Sequence, residues 1–173
     1  MNVGALPLQD RQRAKTIFPP KYNVEWAVLS PDGKWIAYDS DESGRPEVYI
    51  APYPALEPRE RISTDGGLHP LWAPDGRDLY YRMGTTAEDV EQRFLGQKSR
   101  VMAVSIATKP VLEAGQPRLL FEGPYFESGH DIAITPDGKG FILIREDDTT
   151  GPKGIEVVVN WLEELKRRAP AAN

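Results

Sequence analysis

Short apolar runs alternate with clusters of turn-forming residues along the whole chain. Runs such as Trp35 to Tyr38 and Phe141 to Ile144 are rich in aromatic and β-branched residues, and they lie between segments rich in Pro, Gly, Asp and Ser. This pattern is typical of strands, because such side chains fit a pleated surface whereas helices need longer periodic segments. The 16 prolines and 15 glycines are spread over the full length, as many turns require. The pattern predicts an all-β protein.

One repeated motif organises these strands. Pro-Asp-Gly occurs at Pro31, Pro74 and Pro136, each time between two apolar runs. In a turn, Pro fixes φ at the first corner, Asp accepts a hydrogen bond from the backbone ahead, and Gly adopts the positive φ that closes it. The first two motifs are about 40 residues apart, a period found in propeller blades. A polar insertion from Thr85 to Arg100 lengthens the second interval. Each motif predicts a tight hairpin.

Further strands follow each hairpin. A third strand is predicted at 47–50, 101–104 and 155–159, and an outer fourth strand at 61–63 and 118–121. Radial repetition of four antiparallel strands gives the blades of a β-propeller. The predicted fold is therefore all-β, a partial β-propeller of about three four-stranded antiparallel blades plus a short C-terminal helix. The predicted divisions are 1–20 (outer strands of an incomplete blade), 21–64 (blade with the first turn), 65–123 (blade with the second turn and the polar insertion), 124–159 (final blade) and 160–173 (C-terminal helix and tail).

The C-terminal segment carries the signals of a helix. Asn160 can cap it, basic residues from Lys166 to Arg168 suit its last turn, and Pro170 ends it. Trp161, Leu162 and Leu165 would share one side of this helix. We expect that side to pack on the last blade, with docking onto another protein as the alternative.

The repeats resemble those of a known family. The segments from Ser30 to Tyr38, from Asp41 to Ile50 and from Gly66 to Tyr81 are similar to the WD-like repeats of TolB-type bacterial propellers. The segment from Val159 to Lys166 resembles the C-terminal tail of propellers attached to bacterial serine/threonine protein kinases. The resemblance implies a ring of six or more blades, of which this chain supplies a part. The sequence has neither the Gly-rich loop nor the His-Arg-Asp triplet of a kinase, so kinase activity is not expected.

Composition narrows the classes of partner. The formal net charge of −5 argues against a nucleic-acid partner, because duplex binding needs a basic surface. The absence of cysteine excludes disulfides and thiolate metal sites. The first residues lack a basic segment followed by an apolar run, and no stretch is long and apolar enough to insert into a membrane. We expect a cytoplasmic protein as encoded, or a periplasmic one if the chain belongs to an exported parent.

Candidate partner-contact residues lie where the first strands of the blades begin. Propeller ligands usually meet the loops around the central channel or one flat face, and the resemblance places six residues there. A catalytic role for the segment from Ser128 to Asp131 is not expected, because neighbours in sequence point apart whereas a triad is assembled from separate elements. The predicted contact residues are Glu25, Trp26, His69, Pro70, His130 and Asp131.

One loop has the oxygen-ligand spacing that opens a calcium site. Its candidate ligands are Asp39, Asp41 and Ser43, but Ile50 occupies the position where the helix-loop-helix motif has a bidentate Glu. The same residues suit an ordinary turn between second and third strands. We therefore prefer a turn, keep calcium as the alternative and expect no cofactor.

The sequence favours a non-catalytic interaction or sensor module of a larger bacterial signalling or envelope protein, with a protein or peptide as partner. The alternative is the regulatory propeller of a prolyl oligopeptidase-type peptidase whose hydrolase domain lies elsewhere, because no Gly-x-Ser-x-Gly elbow occurs in this chain. About three blades leave two flanks unpaired, and isolated repeats bury too little surface alone. A homodimer that closes one ring, with the N-terminal strands of one copy completing the last blade of the other, is therefore an expected assembly. A truncated reading frame that stays open is the alternative.

Overall fold

A computed structural model describes residues 3–5, 15–18, 20–84, 99–108, 111–125, 132–144 and 155–158. All regular elements in these ranges are strands, in four antiparallel sheets. The first sheet contains β1 (Gly4–Ala5) and β2 (Lys15–Thr16). The second contains β3 (Val24–Leu29), β4 (Trp35–Ser40), β5 (Glu47–Pro52) and β6 (Glu60–Arg61). The third contains β7 (Leu68–Trp72), β8 (Asp78–Met83), β9 (Ser99–Ala107), β10 (Glu113–Ala114) and β11 (Arg118–Gly123). The fourth contains β12 (Ile132–Ile134), β13 (Phe141–Ile144) and β14 (Ile155–Val158).

The prediction of an all-β protein with antiparallel sheets is confirmed. Strands that are consecutive in sequence pair in the second and fourth sheets, as hairpin-connected meanders do. The third sheet has five strands rather than the four predicted, because β9 is long enough for two partners on one edge. One part of β9 pairs with β10 and the other with β11. The predicted C-terminal helix lies outside the described residues, and the predicted blade boundaries stay predictions.

The three Pro-Asp-Gly motifs form the turns between β3 and β4, β7 and β8, and β12 and β13. In the first turn the N–H of Gly33, at φ 69°, donates to the carbonyl of Ser30 over 2.8 Å. The hydroxyl of Ser30 donates to Asp32 over 2.6 Å and accepts the N–H of Trp35 over 3.0 Å. Thr135 makes the same two hydroxyl bonds in the third turn, to Asp137 and from the N–H of Gly140. The second turn has Ala73 there, which has no hydroxyl to offer.

The apolar core fills the spaces between successive sheets. Alternate residues of a strand point to opposite faces, so Leu79 and Tyr81 of β8 pack toward the second sheet while Tyr80 packs toward the fourth. Phe141 and Leu143 of β13 meet Tyr80 from the other side, with the rings of Tyr80 and Phe141 edge to face at 5.0 Å. The third sheet is therefore buried on both faces, as in a stack of blades.

Candidate partner-contact face

The first strands of the second and third sheets lie side by side, and each begins with a bulge. The pairing of β3 with β4 shifts register between Val24 and Ala27, and that of β7 with β8 shifts between Leu68 and Leu71. The residues inside the two bulges include Trp26 and His69, which are half-buried, with ring centroids 5.3 Å apart. We call Glu25, Trp26 and His69 the Trp26–His69 surface.

A buried carboxylate on β4 holds this surface in place. Asp39 Oδ1 accepts the backbone N–H of Trp26 over 2.9 Å and that of Glu25 over 3.3 Å. Its Oδ2 accepts the N–H of His69 from the neighbouring sheet over 2.9 Å. These bonds satisfy N–H groups that the bulges turn away from the strand ladder, and buried backbone donors need such partners. Burial raises the pKa of Asp39, while the His69 and Trp26 N–H groups act in the opposite direction.

His69 adopts a backbone conformation that side chains rarely take. Its φ is 53°, in the left-handed region. A residue with a Cβ stays there at a cost of about 1 kcal/mol or more, and persists only where the surroundings fix it. The hydrogen bond to Asp39 and the ring contact with Trp26 provide that fixation. Conformational strain of this kind is concentrated at functional sites.

A second buried acid fixes the loop that leads into β7. Glu47 is buried, forms an ion pair with Arg45 over 2.8 Å, and accepts a hydrogen bond from the hydroxyl of Ser63. The same hydroxyl accepts the N–H of Val48 over 2.7 Å. A Cβ on Gly67 would lie 2.7 Å from the Ser63 oxygen, so only glycine fits at this point of the chain. This cluster places the chain immediately before His69.

The structure brings together only part of the predicted contact set. Glu25 is exposed and lies beside the Trp26–His69 pair. Pro70 is fully buried, so its side chain is not accessible to a partner. His130 and Asp131 lie outside the described residues. Glu25, Trp26 and His69 therefore remain as contact candidates that the structure places on one surface.

The predicted calcium ligands are engaged in hydrogen bonds with other protein groups. The oxygens of Asp39 accept backbone N–H groups, while Asp41 accepts the backbone and side-chain N–H groups of Asn23 over 2.9 and 2.7 Å. Ser43 donates to the carbonyl of Arg45 over 3.2 Å. Within the described ranges, no three His, Asp or Glu side chains are grouped to hold a metal ion. The arrangement supports the turn interpretation of this loop.

An open depression lies at the opposite end of the hairpins, beside the Pro-Asp-Gly turns. Its volume is about 1000 Å³, and its lining includes Asp32, Asp75, Asp78 and Glu113. Asp32 and Asp75 accept backbone N–H groups of their own turns, and Asp78 accepts the Ser105 hydroxyl over 3.0 Å. These carboxylates stabilise turns and strand pairs. The described residues that line the depression include no aromatic side chain, unlike the Trp26–His69 surface.

The sequence predicts Trp26 and His69 as contact residues, but it does not predict the hydrogen bonds that join Asp39 to them. Asp39 was grouped with Asp41 and Ser43 because they are close in sequence. In the fold its partners come from β3 and from the next sheet. A carboxylate in a run of otherwise buried residues, opposite a strand start, was the available signal.

Comparison with known proteins supports the fold. No family model matches the chain. A curated relative from Alcanivorax borkumensis, the Tol-Pal system protein TolB, is 38% identical over 73 residues, which is 40% of this chain and 17% of the relative. The structure of a putative TolB from Agrobacterium tumefaciens superposes with a TM-score of 0.60 at 17% identity, covering 90% of this chain and 55% of that one. The chain has the TolB-like β-propeller fold.

Enzymes also carry this TolB-like propeller. Dipeptidyl-peptidase 5 of Aspergillus fumigatus is 26% identical over 155 residues, covering 79% of this chain and 20% of the relative. A prolyl endopeptidase structure gives a TM-score of 0.52 at 16% identity, covering 88% of this chain and 25% of that one. The chain spans about a fifth of the length of the curated relatives it matches. In the described part of the propeller, no helix has the length and apolar character needed to cross a bilayer.

Proposed function

We propose that this chain is a non-catalytic propeller module that binds a protein or peptide through the Trp26–His69 surface. The observation that carries the proposal is the half-buried pair of aromatic rings, 5.3 Å apart, on two bulges that share one buried carboxylate. Tryptophan is enriched among the residues that dominate binding energy. A backbone already held in its bound shape loses little freedom on binding. The contact prediction for His130 and Asp131 stays a prediction.

The chemistry of the surface favours binding over catalysis. Asp39 is buried, and its oxygens accept backbone N–H groups of Trp26 and His69. General base catalysis by a histidine needs a carboxylate that orients the ring, together with a nucleophile in reach. Here both oxygens of the carboxylate accept main-chain N–H groups. The likeness to a Tol-Pal system protein further supports an interaction role.

Site-specific photo-crosslinking in cells tests this proposal. A benzophenone amino acid replaces Glu25, which is exposed beside the ring pair, or Lys34, which is exposed at the opposite end of the same hairpin. We expect a discrete crosslinked protein from position 25 that is absent from position 34. Adding Trp26→Ala to the position-25 variant removes the crosslink without moving the probe. Equal crosslinking from both positions, or none from position 25, contradicts the proposal.

The alternative is the regulatory propeller of a prolyl oligopeptidase-type peptidase. The similarity to dipeptidyl-peptidase 5 over most of this chain favours it. On that alternative these residues filter access to a hydrolase domain carried elsewhere in the parent protein. The reading frame around this sequence discriminates the two: an adjoining hydrolase domain supports the peptidase, and a kinase or envelope domain supports the interaction module. Cell fractionation of the parent then decides between the cytoplasm and the periplasm.

A further inference from the structure

Positions at equal offsets from the three turn prolines are structurally equivalent. Two residues before the proline stand Leu29, Trp72 and Ile134. Six residues after it stand Ala37, Tyr80 and Ile142. The alternation of strand faces places the first set toward the preceding sheet and the second set toward the following sheet.

The contacts between neighbouring sheets repeat at these positions. Ala37 and Trp72 belong to the core between the second and third sheets, and Tyr80 and Ile134 meet in the core between the third and fourth. The turns stack in the same order. The Pro31 ring is 3.6 Å from the Cβ position of Gly76, and the Pro74 ring is 3.6 Å from that of Gly138. Equivalent positions therefore form the contacts at both sheet-to-sheet interfaces.

At the two ends of this series of sheets, the equivalent residues lack the packing contact within the described part of the chain. Leu29 is 48% exposed, whereas its equivalent Trp72 is 5% exposed under the second sheet. Ile142 is 38% exposed on the fourth sheet, whereas its equivalent Tyr80 is 8% exposed. The Cβ position of Gly33 meets no described atom within 4 Å. Among the described residues, no sheet covers Leu29 at one end or Ile142 at the other.

The strand counts at the ends are complementary as well. The fourth sheet has three described strands and the first sheet has two, which together make five strands, compared with four in the second sheet and five in the third. The outer edge of β14 has no strand partner among the described residues. Val3 and Phe18, beside the two-stranded sheet, pack against the second sheet, so that sheet already occupies the outer part of a preceding blade.

We propose that a second copy of this chain closes the stack into a two-fold symmetric ring. The fourth sheet of each copy packs on the second sheet of the other, with Ile142 facing Leu29 and Pro136 stacking on Gly33. The β1–β2 pair of one copy extends the β14 edge of the other. A head-to-tail contact that closes after two copies yields a finite ring and covers both apolar flanks. Both halves of the interface are present in this sequence, which is why we choose a second copy over another partner.

Solution mass tests the ring. Light scattering of the full 173-residue chain from about 1 to 100 µM should give twice the 19.4 kDa mass of one chain. Ile142→Glu places a charge at both interfaces. We expect the dissociation constant of the dimer to rise by roughly 100-fold, because buried unpaired charges are costly. Leu119→Glu is the matched control, since Leu119 is 51% exposed on β11, away from both end faces. It should leave the dimer intact.

A pair of opposite charges, introduced at positions 29 and 142, provides a second test of the dimer. Leu29→Lys alone should also dissociate the dimer, whereas Leu29→Lys combined with Ile142→Glu restores it by placing opposite charges across each interface. Both positions are exposed in one copy, so far-UV circular dichroism of the variants should match the parent. A wild-type monomer or polydisperse aggregate at 100 µM overturns the proposal. So does equal dissociation of the Ile142 and Leu119 variants, or a double variant that stays monomeric.

Discussion

Asp39, near the end of β4, should contribute more to stability than Asp41 in the loop that follows. Asp39→Ala removes the acceptor for two backbone N–H groups at 2.9 Å, on Trp26 and His69, and for a longer bond at 3.3 Å. A buried donor left unsatisfied costs about 1–3 kcal/mol. The longer bond adds little, because Glu25 is exposed and water can replace the carboxylate there. We therefore expect the free energy of unfolding to fall by about 3 kcal/mol.

Urea denaturation followed by tryptophan fluorescence measures this effect, and two variants calibrate it. Asp39→Asn keeps one acceptor oxygen and should lose about half as much as Asp39→Ala. Asp41→Ala is the matched control from the same loop. Its partner Asn23 is exposed, so water replaces both bonds and the loss should stay under about 1 kcal/mol. If Asp39→Ala and Asp41→Ala cost the same, Asp39 does not hold the two bulges together and the reasoning is refuted.

Three further predictions concern the loop before β7 and the turns. Gly67→Ala should lower the free energy of unfolding by about 2 kcal/mol, because the added methyl group overpacks against a buried hydroxyl. Gly115→Ala is the control: the nearest atom to its added Cβ is 3.4 Å away, so the free energy of unfolding should change by less than about 0.5 kcal/mol in the same urea assay. A larger loss for Gly115→Ala than for Gly67→Ala contradicts the packing argument. Ala73→Ser should supply the hydroxyl bonds of the other two turns and raise the thermal midpoint by a few degrees, corresponding to about 1 kcal/mol; an unchanged or lower midpoint is evidence against it. Hydrogen bonds from hydroxyl groups, and to a smaller extent from backbone N–H groups, lower the pKa of Asp32 and Asp137. The two carboxylates therefore stabilise the folded state fully above the ordinary pKa of Asp, and this stabilisation is lost as pH falls through the lowered pKa values. Acid titration from about pH 5 to pH 2 should therefore destabilise the wild type more than the variant with Asn at both positions, and parallel curves argue against the assignment.

Local chemistry made most of the fold predictable. The strand after each Pro-Asp-Gly motif begins two or three residues beyond the glycine, because the turn geometry depends only on residues inside the motif. The apolar and aromatic runs then predicted strands on both sides of each turn. The fifth strand of the third sheet escaped prediction, because β10 has two residues and its pairing depends on the length of β9.

Less of the candidate site could be predicted, because it depends on contacts between sheets. Trp26 and His69 were placed by analogy with propeller architecture, and the structure shows their rings in contact. The role of Asp39 could not be deduced, because its donors lie 13 and 30 residues away in sequence. The burial of Pro70 likewise depends on which way the bulge in β7 turns.

The affinity of the crosslinked partner for two tryptophan variants tests the proposed contact surface most directly. Trp26 and Trp35 lie at opposite ends of the β3–β4 hairpin, and both are half-buried. Calorimetric titration should show that Trp26→Ala weakens binding about 30-fold or more, as loss of a central aromatic residue does. Trp35→Ala should stay within about twofold of the wild type. Equal losses for the two variants, or a loss confined to Trp35→Ala, would contradict the assignment of the Trp26–His69 surface as the binding site.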